Sequence, residues 1–99
     1  MIKHIVMWRF ADQAEGADKV TNLQIVRDRL AALDGLVPGL RKLEPVIPDE
    51  LEHDYDLVLY SEFDSVEALR AYAVHPDHQA VAGLIAKVRT ERVCVDYEV

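Results

Sequence analysis

The sequence predicts an α+β fold in the order β-α-β-β-α-β, with one four-stranded antiparallel sheet and its helices on a single face. Three observations carry that expectation. Strand-like alternation occupies both ends and the middle of the chain. A stripe of apolar residues at helical spacing follows the first strand. Pro76 interrupts the second helical stretch, because the residue before a proline avoids helical geometry. The chain has 99 residues, the size of one domain, so residues 1–99 are read as a single unit.

The first strand is read over Lys3–Phe10. Its even positions are His4, Val6, Trp8 and Phe10, and its odd positions include Ile5 and Met7. Successive strand side chains point to opposite faces, so both faces are apolar. Ala11–Gly16 reads as a polar loop. The first helix is expected over Ala17–Leu33, its buried stripe being Val20, Leu23, Val26, Leu30 and Leu33, with Gly35 as a stop and Pro38 beyond it. Leu40–Ile47 reads as a second strand. Pro45 lies inside it and cannot donate to a ladder, which places the strand at a sheet edge or at a bulge.

An acidic turn, Asp49–Asp54, leads to a third strand over Tyr55–Phe63, again apolar on both faces. Asp64, with Glu67 three residues on, has the pattern of a helix capping box. A short helix then runs to about Ala73. Pro76 suits the first position of another helix, whose buried face is Val81, Leu84, Ile85 and Val88. The last strand is read over Glu91–Val99.

This order is the split βαβ, or ferredoxin-like, plan. The helices cover one face of the sheet. The other carries Ile5, Met7, Val58, Tyr60, Val93, Val95 and Tyr97, with nothing in the chain to cover it. An apolar patch of that size marks an interface, and a symmetric homodimer packed sheet to sheet resolves it.

Composition excludes several function classes. The formal charge is −7, which repels phosphate backbones and anionic bilayers, so neither nucleic acid nor membrane is an expected partner. No apolar run approaches the roughly 20 residues that span a bilayer. The N-terminal residues lack a signal-peptide pattern, and the expected location is the cytoplasm. Cys94 is the one cysteine, so neither an internal disulfide nor a thiolate metal cage is available.

The informative stretch is Tyr72-Ala73-Val74-His75-Pro76-Asp77-His78. His78 falls in the first turn of the last helix, three residues before Val81 and seven before Ile85, hence on its buried face. Tyr72 follows Leu69 by three and leans inward. His4 shares a strand face with Val6 and Trp8. These positions define a pocket between helices and sheet, lined by His4, Val6, Trp8, Leu57, Leu59, Val81 and Cys94. The positive end of the helix dipole disfavours an imidazolium at His78, and a neutral imidazole in an apolar pocket can exchange a proton near pH 7. A tyrosine hydroxyl beside it can orient a carbonyl or stabilise an enolate.

Two other readings stay open on spacing alone. Buried histidines and tyrosines also serve purely to satisfy backbone carbonyls, and His75 at the helix break suits a capping role. His75, His78 and His4 could supply zinc ligands, but no carboxylate is placed to complete the set, so the expectation is no metal and no cofactor. Cys94 has the parity of a small core residue. Arg92 shares that parity, where it would meet an acidic ligand group at the pocket mouth or pair with a surface carboxylate.

The residues Ile2-Lys3-His4-Ile5-Val6, Val37-Pro38-Gly39-Leu40, Tyr55-Asp56-Leu57-Val58-Leu59 and Ser61-Glu62-Phe63, with Ala71-Tyr72, His75-Pro76-Asp77-His78 and Val95-Asp96-Tyr97, resemble the stress-responsive A/B barrel domain (Dabb) family along essentially the whole chain. That resemblance implies a dimeric ferredoxin-like α+β barrel. One branch, of the olivetolic acid cyclase type, closes linear polyketides by an intramolecular aldol step without a cofactor. It implies His78 as acid/base, Tyr72 in support and His4 in the pocket. Two positions depart from that branch: Leu57 and Leu30 stand where it has a histidine and a tyrosine, which makes this pocket more apolar. The resemblance leaves three functions to weigh. They are cofactor-independent acid/base catalysis on a carbonyl substrate, capture of a small apolar ligand or a stress-response role without turnover, and, by analogy of fold, cofactor-free monooxygenation.

Overall fold

The computed structural model describes residues 1–99. In chain order it contains β1 (Ile2–Phe10), the two-residue strands β2 (Gln13–Ala14) and β3 (Ala17–Asp18), α1 (Lys19–Ala31), β4 (Leu40–Val46), β5 (Leu57–Phe63), α2 (Val66–Val74), α3 (Pro76–Val88) and β6 (Arg89–Glu98). The main sheet has the order β4-β5-β1-β6, and every neighbouring pair is antiparallel. This is the ferredoxin-like α+β fold expected from the sequence. The molecule measures 36 × 30 × 18 Å, thin enough for one sheet and one helical layer.

Alternation along the two central strands decides which residues make the core. Ile2, Val6, Trp8 and Phe10 of β1 are buried, as are Leu57, Leu59, Ser61 and Phe63 of β5. Against them pack Leu23, Val26 and Leu30 of α1, Tyr72 of α2, and Val81, Ile85 and Val88 of α3. Residues of opposite parity form the other face. There Ile5, Met7, Val58, Tyr60 and Val93 are half-buried, and Val95 and Tyr97 are exposed.

The structure corrects several local expectations. The segment read as a polar loop folds into a small hairpin, β2–β3, whose two turn residues Glu15 and Gly16 both have positive φ. That is the geometry of a two-residue hairpin turn matching strand twist. Asn22, a buried polar residue of α1, donates from Nδ2 to the carbonyl of Ala14 at 3.0 Å and pins the hairpin to the helix. The hairpin takes Ala17 and Asp18, so α1 starts later than its apolar stripe implied. Asp18 is its N-cap, accepting from the Thr21 amide. Val20 then lies in the first turn on the outer side, exposed rather than in the core.

The cap of α2 is Ser65, which accepts from the Ala68 amide, and not Asp64. Asp64 instead accepts a hydrogen bond from Arg41 Nε. Leu84 is half-buried. β5 starts at Leu57, two residues later than alternation implied, and β6 starts at Arg89, two residues earlier, because α3 passes into it without a loop. β4 is an edge strand, as Pro45 requires.

One irregularity interrupts the β1–β6 ladder. Trp8 faces Arg92 and Arg9 faces Glu91, but Phe10 faces Arg89. Thr90 is the extra residue of a β-bulge, and its hydroxyl donates to the Arg9 carbonyl at 3.3 Å.

The loop before β4 depends on Gly39. Its φ is +87°, and a Cβ there would stand 2.8 Å from that of Ala68. Gly39→Ala therefore combines backbone strain with overpacking, and about 1–3 kcal/mol of stability is lost, measured as a lower urea midpoint at unchanged m-value. An unchanged midpoint would mean that α2 yields freely.

Candidate functional site

A cavity of about 230 Å³ lies between α3 and the helix side of the sheet. β1 supplies His4, Val6 and Trp8, β5 supplies Leu59 and α1 supplies Leu30. α3 supplies His78, Val81, Ala82, Ile85 and Ala86, and β6 supplies Arg89 and Arg92. β6 is exposed along nearly all of its length. The small side chains of Ala82 and Ala86 leave room where α3 passes over the floor.

His78 is placed by the break at Pro76. α2 ends at Val74, and His75 takes extended backbone as the cap of α3. The His75 Nδ1 accepts from the Asp77 amide at 3.1 Å. His78 then turns back across the junction, its Nδ1 donating to the Ala73 carbonyl at 3.0 Å. With Nδ1 carrying the proton, Nε2 of the neutral ring holds the basic lone pair.

Burial is the main cause that lowers the His78 pKa from its ordinary value. The bond to the Ala73 carbonyl opposes this, and the charges of His4 and Arg92 reinforce it. Desolvation thus favours the neutral ring, in the same direction as the helix dipole expected from the sequence.

Tyr72 stands directly behind His78. The two ring centroids are 4.5 Å apart at 54°, and Phe63 lies 5.2 Å on the other side of Tyr72. Tyr72 is 1 % exposed, and its hydroxyl is buried without a hydrogen-bond partner. Burial pushes its pKa up to about 12. It does not line the cavity. The ring wedges His78 in place, and the hydroxyl stays a neutral donor.

His4 is nearly enclosed, its ring edge-on to Phe63 at 6.3 Å. Its Nδ1 meets the Asp96 carboxylate on β6, a cross-strand partner. Cys94 Sγ lies 3.8 Å from the same nitrogen. Of the residues expected at the pocket, His4, Val6, Trp8, Leu59, His78 and Val81 line it and three do not. Leu57 is fully buried in the core. Tyr72 is one layer back. Cys94 is exposed rather than in the core, because β6 is a sheet edge.

Sequence reasoning missed Arg89, Ile85, Leu30 and the two alanines as cavity residues, and it missed Asp96 as the partner of His4. Strand parity locates Asp96 once β6 is paired with β1. Arg89 gives no such signal, since regular alternation puts it on the opposite face from Arg92.

Residues 2–99 match the family model described as the stress responsive A/B barrel domain, Dabb. The stress-response A/B barrel domain-containing protein DABB1 of Arabidopsis thaliana is 26% identical over 101 residues. That match takes in 98% of this chain and 46% of the Arabidopsis protein, so the chain spans about half the length of that relative. A dimeric ferredoxin-like protein of unknown function from Bacteroides fragilis is 31% identical, with a TM-score of 0.85 over 99% of this chain and 95% of that one. Another, from Thermobifida fusca, is 27% identical, with a TM-score of 0.86 over 99% and 90% of the two chains.

The unpaired hydroxyl of Tyr72 yields a prediction. Tyr72→Phe removes a buried donor while keeping the ring between Phe63 and His78. Stability holds or rises by about 1 kcal/mol in urea denaturation, whereas a loss of that size would reveal a partner for the hydroxyl.

Proposed function

The chain belongs to the stress responsive A/B barrel (Dabb) family, and from that premise we propose that its cavity is a site for cofactor-independent acid/base chemistry on a small carbonyl compound. The observation that carries this reading is His78. It is a neutral imidazole with its tautomer fixed by the Ala73 carbonyl, set in the wall of a mostly apolar cavity. Nε2 is the atom that would take a proton from carbon next to a carbonyl and return it later. Tyr72 is a positioning residue in this scheme, holding the imidazole against the α2–α3 junction. His4, held by Asp96, lies in the wall as a second polar group. The apolar lining favours a second reading, capture of a ligand without turnover.

The proposed assembly is a homodimer through the helix-free sheet face, since the solved relatives from Bacteroides fragilis and Thermobifida fusca are described as dimeric. That face carries an apolar centre and a charged edge, where Lys3 bonds the Tyr60 hydroxyl at 2.7 Å and pairs with Glu62 at 3.7 Å. This is the composition of an interface core and rim. Val95→Glu places a charge in that centre, and sedimentation should then give half the mass of the wild-type particle. An unchanged mass would move the interface elsewhere.

General-base capacity can be measured without knowing the substrate. 5-Nitrobenzisoxazole opens when a base removes its ring proton, and an apolar cavity with a neutral imidazole accelerates that step. The rate should climb as pH rises through the His78 pKa, which lies below 6.5, and level off by neutral pH, as the unprotonated form accumulates. His78→Ala, folded by circular dichroism, should lose about 100-fold or more of the protein-dependent rate. Binding of the probe with equal turnover in both proteins would leave ligand capture as the function.

A further inference from the structure

We propose that Arg89 and Arg92 form an anion-recognition end of this cavity, so that its ligand is an amphiphilic carboxylate with its acid group at the arginines and its apolar body running toward His78. The inference rests on the cavity as a ligand site and adds the class and orientation of the ligand.

The bulge in β6 is the first observation. Side chains of a regular strand alternate, so residues 89 and 92 would point to opposite faces. The extra residue Thr90 resets the alternation. Arg89 comes opposite Phe10 and Arg92 opposite Trp8, both residues of the helix side. Cross-strand partners share a face, so the bulge brings two guanidinium groups to the same end of one wall.

The second observation is charge. The protein carries seven more acidic than basic residues, yet no carboxylate lines the cavity. Neither arginine has a carboxylate within salt-bridge distance, whereas Arg9, beside them on the outer face, is paired with Glu91 at 3.3 Å. Arginine suits planar carboxylates because its donors form a fork.

The third is spacing. Arg92 and Asp96 are four residues apart on β6, and Asp96 marks His4 across the ladder. The strand backbone between Arg92 and the position opposite His4 is therefore about 13 Å long. Val6, Trp8 and Ile85 lie along it, an apolar track between two polar ends. A ligand anchored by its carboxylate at the arginines presents its far end, and not its acid group, to His78.

The test compares octanoate with 1-octanol, an apolar chain with and without the charge, by titration calorimetry at pH 8. Both should bind, with octanoate about tenfold or more the tighter, the factor expected for hydrogen bonds to a charged group. The double variant R89Q/R92Q should remove that advantage and leave octanol affinity within about twofold. R70Q, which removes an exposed charge outside the cavity, should change neither. The His78 ring resonances should shift with both ligands, fixing the seat of binding. Equal affinity for the two ligands, or an octanoate advantage that survives R89Q/R92Q, overturns the anion end while leaving the apolar cavity intact. Failure of both ligands to bind overturns the cavity reading together with it.

Discussion

β1 is hydrogen-bonded on both sides, to β5 and to β6, and it is apolar on both faces. β5 and β6 take their register from that strand, and β4 takes its own from β5. Its even side chains are closed over by helices and make the core, while its odd side chains leave a sheet face with no layer of its own. The cavity is a by-product of the same arrangement. The helical layer seals β5 and the core side of β1 but leaves β6 uncovered, so the space under α3 has an open side.

Much of this was legible in the sequence, because it follows from periodicity. Two-residue alternation identified the strands and their faces, three-and-four spacing identified the helices, and Pro76 identified the break that aims His78 inward. Pro45 left an edge or a bulge open for β4, and the strand is an edge. What stayed hidden depended on contacts between distant segments. Val20 fits the helical stripe of α1 by spacing, but the β2–β3 hairpin delays the helix and leaves Val20 on its outer side. Asp64 and Ser65 are both competent caps by residue type; Ser65 takes the role, and Asp64 bonds Arg41 instead. Leu57 and Cys94 share a face of the sheet by alternation, yet one is sealed in a central strand and the other lies on a bare edge. Parity assigns a face. It does not say whether anything covers that face.

The two titratable groups at the α2–α3 junction illustrate a division of labour. Tyr72 is fully enclosed, so its hydroxyl stays protonated far above neutral pH and its ring acts as a wall. His78 is only partly desolvated, which keeps it neutral while leaving it a face on the cavity. The same apolar surroundings thus immobilise one group and tune the other. Their order in the wall, histidine in front and tyrosine behind, comes from the backbone turn at His75.

Cys94 shows a further consequence of a strand edge. An exposed thiol is ordinarily a chemical weak point, open to oxidation and alkylation. Here partial desolvation and the nearby Asp96 carboxylate push its pKa up, against a weaker pull from Arg92. Less of it is thiolate at neutral pH than in a free cysteine, and the thiolate is the form that reacts. Access to solvent and readiness to react are separate quantities on this strand.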